Sequence, residues 1–144
     1  MKDPDLPAVR DIEDLSFSNP WSDATFLGEI QNKGISFPLV IVRQTDERVA
    51  GYVIFWHVRD EVQINNVAVH PDFRGKGICE AALKLVLKEV REKGAVFVTL
   101  EVRASNTVAI RLYEKLGFKV LDMRKGYYTN PLEDASVMGL VLGE

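Results

Sequence analysis

A chain of 144 residues, 47% apolar and 27% charged, is long enough to bury a single core and has the composition of one ordinary globular domain. A formal charge of −3 without a lysine or arginine stripe argues against a nucleic-acid partner, and no run approaches the roughly 20 apolar residues of a membrane span. One cysteine excludes an intramolecular disulfide, metal-type Cys/His spacing is absent, and the N-terminus carries no apolar leader; the expectation is a cytoplasmic protein.

Leu6 to Leu15 reads as a short helix with Leu6, Val9, Ile12 and Leu15 spaced three apart. Residues 16–20 break it, because the residue before Pro20 disfavours the α region. Trp21 to Gln31 reads as a second helix, with Ser22 or Asp23 as N-cap and Gly34 beyond its end. Two strands, Pro38 to Arg43 and Val49 to Val58, flank a polar turn, and the second is apolar on both faces like a central strand. A third strand covers 61–69. An amphipathic helix from about Lys76 to Lys93 follows, its inner face formed by Ala82, Leu83, Val86, Leu87 and Val90, and Gly94 ends it. Ala95 to Val102 is a strand, and Ser105 or Asn106 caps a helix with Ala109, Leu112, Tyr113 and Leu116 facing inward. Phe118 to Lys125 and Ala135 to Leu142 complete the sheet. The fold class is α/β (α+β): a mixed twisted sheet of about six strands with helices on both faces, the strands either side of the 76–93 helix running parallel.

The stretch most loaded with chemistry is Arg74-Gly75-Lys76-Gly77-Ile78-Cys79, between a strand and a helix. Free first-turn amides and the positive end of the helix dipole suit a phosphate there, and the two glycines permit positive φ and close approach of the main chain. A plain tight turn is the competing reading. Cys79 is either a small buried residue or a thiol activated by the helix N-terminus. Glu101, near a strand end, is either solvated or a base, and Tyr113, seven residues after Asn106, shares its helix face. Tyr127 and Tyr128 are packing residues or an entrance lining; Trp21 and Phe17 are core or substrate-side residues; His57 and His70 are structural.

The order strand, Arg-x-x-Gly-x-small, helix, strand, then Asn before a helix ending Leu-Tyr-x-x-Leu-Gly-Phe resembles the GCN5-related N-acetyltransferase (GNAT) superfamily, from about Leu6 to Leu142. Pro20-Trp21-Ser22, the block from Leu100 to Asn106, Tyr127-Tyr128 and Glu133-Asp134-Ala135 resemble its ribosomal-protein-alanine N-acetyltransferases, the RimI type. The resemblance implies acetyl-CoA as co-substrate, with no metal, in a cleft between two splayed strands. Val67, Ala68 and Val69 would then offer main-chain groups to the acetyl and pantetheine portions. Gly75, Lys76, Gly77, Ile78, Cys79 and Glu80 would hold the pyrophosphate, Arg74 would be the first cation of the motif, and Asn106 a CoA contact. Glu101 matches the general base and Tyr113 the proton donor to the departing thiolate. The implied partner is a protein N-terminus, with a lysine, a small amine or a silent CoA sensor as alternatives. Relatives usually start with a strand ahead of the first helix; its apparent absence leads to the expectation that the edge at 38–43 pairs in a homodimer.

Overall fold

The computed structural model describes residues 1–143, all but Glu144 of the expected domain. In chain order the elements are α1 (Leu6–Ser16), α2 (Asp23–Gln31), β1 (Ser36–Val42), β2 (Val49–Val58), β3 (Glu61–Val69), α3 (Ile78–Glu92), β4 (Phe97–Arg103), α4 (Thr107–Lys115), β5 (Lys119–Tyr128) and β6 (Glu133–Val141). They build one six-stranded sheet in the order β1-β2-β3-β4-β6-β5. β1, β2 and β3 form an antiparallel meander, and β3 and β4 run parallel with α3 as the crossover, as expected. β6 inserts between β4 and β5, antiparallel to both.

The sheet is covered on both faces. On one, Leu83, Val86 and Val90 of α3 and Tyr113 of α4 pack over Val53, Phe55, Ile64 and Leu100. On the other, Val9 and Ile12 of α1 and Phe26 of α2 pack over Tyr52, Ile54 and Ala68. Adjacent residues of β2 therefore enter opposite cores, which is why that strand reads as apolar throughout. β1 is one edge of the sheet, as expected, and β5 the other; the N-terminal ammonium of Met1 donates to the Pro38 carbonyl at 2.9 Å. Pro38 fits an edge strand because it has no N–H to leave unpaired. No strand precedes α1 among the described residues.

Several details differ from the sequence expectations. Leu15 does not join the inner stripe of α1: it is 59% exposed, and Glu13 is buried instead. At about 100° per residue, nine residues carry Leu15 roughly half a turn away from Leu6, whereas Val9, Ile12 and Glu13 share a side. α3 starts at Ile78 and not at Lys76, because Gly75 and Gly77 take φ of 78° and 73° and form a turn. β1 starts at Ser36, two residues early. β5 and β6 extend toward each other as far as Tyr128 and Glu133, so both tyrosines lie on the strand instead of in its loop.

Leu83 is 1% exposed under the sheet, while Leu85 of the same helix is 66% exposed. Leu83→Ala is expected to lower unfolding free energy by about 2–5 kcal/mol, and Leu85→Ala by under about 0.5 kcal/mol, in parallel denaturant titrations.

Candidate active site

β3 and β4 pair only from Glu61↔Phe97 to Ile64↔Leu100. Beyond those residues β3 continues along β2 to Val69, and β4 continues along β6 to Arg103. Each strand keeps its outer partner and loses its inner one, so the sheet opens into a V. The cause lies in β3, where Ile54 faces Asn66 and Phe55 faces Ile64, leaving Asn65 as an extra residue. A bulge of this kind bends and twists the strand that carries it. The Asn65 side-chain nitrogen is buried there without a hydrogen-bond partner. Inside the V, residues 66–69 and 101–103 have no strand on their inner side, and the Val69 carbonyl there accepts from Arg74 instead.

The loop of residues 74–77 closes one end of this opening. Gly77 is the N-cap of α3 and offers no side-chain cap, so the first-turn amides have no partner from the helix itself. A Cβ built at Gly75 or Gly77 meets nothing within 4 Å; the loop faces open space with its main chain accessible. Left-handed glycines ahead of a helix N-terminus are the features from which anion-binding concavities are built. The cation side chains here have other partners. Arg74 donates from Nε to the Val69 carbonyl at 2.9 Å and from Nη2 to Ser16 Oγ at 3.0 Å, and Lys76 lies over the Phe73 ring. Glu80 turns outward to Lys115 and Lys84, at 2.8 and 3.0 Å. Cys79 packs inward against both neighbouring core clusters, and burial pushes its thiol pKa up, which favours the reading of it as a small buried residue. Its bulk points away from the loop's open side. Asn106 caps α4 through Oδ1, which accepts from the Ala109 N–H at 3.2 Å, leaving its amide nitrogen as the available donor.

Glu101 stands on β4 just past the last β3 pairing, 19% exposed. Arg124 approaches it at 3.6 Å, and its interaction with the Tyr127 hydroxyl is the first cause, ahead of burial, of that phenol's raised pKa. Tyr128 is pushed up to about 12, by burial first and then by Tyr127 and Glu101. Tyr113 is buried, and its pKa is raised by burial and by the proximity of Cys79 and Tyr128. Tyr128 is thus coupled electrostatically to both Glu101 and Tyr113. Trp21 is differently placed: its ring packs on Phe26, at 5.3 Å between centroids. The two histidines hold local turns, His57 with the Arg59 carbonyl and His70 with the Asp72 N–H.

Two residues escaped the sequence reading. Arg103 lies 4.5 Å over the Tyr128 ring and donates to the Thr129 and Pro131 carbonyls, to Glu133 and to Ser18 Oγ. Asn19 adds bonds to the Thr129 carbonyl and hydroxyl, so the α1–α2 loop and the β5–β6 turn are laced together beside Arg103. The available signal was period-two alternation, which puts Arg103 on the same strand face as Glu101. The other is Glu13, whose place four residues after Val9 marks it as inward-facing.

The chain matches the family described as "Acetyltransferase (GNAT) family" over residues 6–118. It is 39% identical over 138 residues to the [ribosomal protein bS18]-alanine N-acetyltransferase of Salmonella typhimurium, covering 94% of this chain and 90% of that protein. The crystal structure of the ribosomal-protein-S18-alanine N-acetyltransferase from Escherichia coli superposes with a TM-score of 0.91 at 34% identity, covering 100% of this chain and 92% of the other. Ard1 from Thermoplasma volcanium gives 0.88 at 28% identity, with 100% and 95% covered.

All four tyrosines are shifted in one direction: Tyr52 and Tyr113 upward chiefly by burial, Tyr128 likewise, and Tyr127 by Glu101. A phenol whose folded pKa is raised adds stability that is complete below the unfolded value of about 10 and is lost as pH climbs through the folded values. At pH ~10.5 the folded protein is therefore expected to show little phenolate absorbance, with most of it appearing on addition of denaturant; equal absorbance in both states would contradict these environments.

Proposed function

Starting from a chain that belongs to the acetyltransferase (GNAT) family and acts as an acetyl-CoA-dependent N-acetyltransferase, we propose that its acceptor is the α-amine of a protein N-terminus, a ribosomal-protein alanine. The observation that carries this reading is Glu101 at the start of the β3/β4 opening, with two phenols beside it and the free amides of α3 at the other side of the same V. The names of the relatives support the choice of acceptor.

Acetyl-CoA, when bound, supplies a thioester carbonyl and a thiolate leaving group. The first-turn amides from Ile78 to Glu80, with the Gly75–Gly77 turn, hold its diphosphate, and the main chain of Val67, Ala68 and Val69 orients the thioester arm. Glu101 takes a proton from the acceptor ammonium, directly or through one water, which its partial exposure permits. At neutral pH about a tenth of an α-amine with pKa near 8 is already neutral, against under a thousandth of a lysine near 10.4, so a carboxylate base is better matched to the former. Tyr113 donates its hydroxyl proton to the departing sulfur; burial raises its pKa, so the transfer requires a short, aligned hydrogen bond to that sulfur. Tyr127 and Tyr128 line the acceptor entrance, and Asn106 contributes its amide nitrogen to CoA.

Thiol release is expected when the protein is incubated with acetyl-CoA and an alanine-starting peptide, and much less with a peptide whose only free amine is a lysine. Glu101→Gln is expected to lower kcat/KM about 100-fold, and Tyr113→Phe to lower kcat about tenfold or more while CoA affinity by calorimetry stays within about twofold. CoA uptake without any thiol release would instead identify a silent binder of the same fold, and an unchanged Tyr113→Phe rate would remove that residue from the chemistry.

A further inference from the structure

Glu13 is 1% exposed, enclosed with Val9, Ile12, Phe26, Tyr52 and Ile54, in a position where the helix pattern calls for an apolar side chain. A buried carboxylate costs several kcal/mol in desolvation unless its oxygens find donors. Here they find three. Oε1 accepts from the Tyr52 hydroxyl and, at 2.8 Å, from Asn66 Nδ2; Oε2 accepts the main-chain N–H of Trp21 at 2.9 Å. All three partners donate, which a carboxylate satisfies without presenting a donor of its own.

These partners belong to places with different tasks. Asn66 sits on β3 at the first residue past the bulge, where that strand leaves β4. Trp21 ends the loop between α1 and α2, whose Ser18 and Asn19 reach Arg103 and Thr129. We propose that Glu13 is a positioning residue for the acceptor, fixing the α1–α2 loop to the strand that lines the cofactor opening so that the loop's entrance side is preformed. This rests on the N-acetyltransferase reading above. Arg74 ties the end of α1 to the loop of residues 74–77, while Glu13 ties β3 to the α1–α2 loop itself.

The test compares Glu13→Met, which removes all acceptors at similar volume, with Tyr52→Phe, which removes one donor on the sheet and leaves the loop bond intact. Glu13→Met is expected to speed hydrogen exchange at the Trp21 amide, and to raise KM for an alanine-starting peptide, each about tenfold, the scale of one lost hydrogen bond, with kcat and CoA affinity within about twofold. Tyr52→Phe is expected to lower Tm without moving either loop readout. Unchanged exchange in Glu13→Met overturns the proposal, as does a KM rise matched by Tyr52→Phe or by an equal loss of CoA affinity. Should Glu13→Met not fold, Glu13→Gln keeps one acceptor and is expected to move both readouts about threefold; no movement is again the overturning result. The exchange measurement needs no turnover, so a wild-type protein that acetylates no peptide would sink the acceptor assignment and still decide the anchor.

Discussion

Two strands that run side by side for four residues and then separate set the terms for the rest of this molecule. Separation leaves each strand without a partner on its inner side, and it persists because each strand is held from its outer side. β3 keeps β2 as far as Val69, and β4 keeps β6 as far as Arg103. The helices reinforce the division. α1 and α2 press on the β1–β3 half through Phe26, Tyr52 and Ile54, while α3 and α4 brace the junction from the opposite face. A strand cannot easily close the V, because the Asn65 bulge has already turned β3 away. The N-terminus of α3 and the end of β4 therefore look into a common space, one offering amides and the other a carboxylate.

Three glutamates near that space illustrate how surroundings divide the work of one residue type. Glu133 accepts from the Ser105 N–H and from Arg103, contacts that hold its pKa below the usual range and make it a clasp between β6 and the α4 entry. Glu13, sealed in the core, is an acceptor for three donors from a helix-following loop and two strands. Glu101, partly open to solvent like Glu133, has Arg124 at 3.6 Å and the Tyr127 hydroxyl beside it. Among the cations, Arg74 and Arg103 hold loops together.

The turn of residues 74–77, the Asn106 cap of α4 and the helix-crossed parallel strands were all legible in the sequence. Their signals are local: glycines at a strand-to-helix junction, a cap three residues before its amide, apolar periodicity of 3.6 or 2. Gly75 and Gly77 take the left-handed conformations such a turn requires, and Asn106 caps α4 as its position before the helix suggests. Glu13 and Arg103 were hidden because what they do depends on partners far along the chain; Glu13 meets Asn66 across 53 positions and Arg103 meets Ser18 across 85.

What the sequence determined by itself was therefore the set of elements, the phosphate-type turn and the identity of the chemical groups, since these follow from propensity and spacing within a few residues. Only tertiary structure decided that β6 lies between β4 and β5, that β3 parts from β4 at Asn65, and that Cys79 turns into the core. It also decided that a glutamate on an apolar helix face is buried by choice of partners. Each of those depends on contacts between segments whose separation in the chain carries no periodic signal, so the pattern of residues could not announce them.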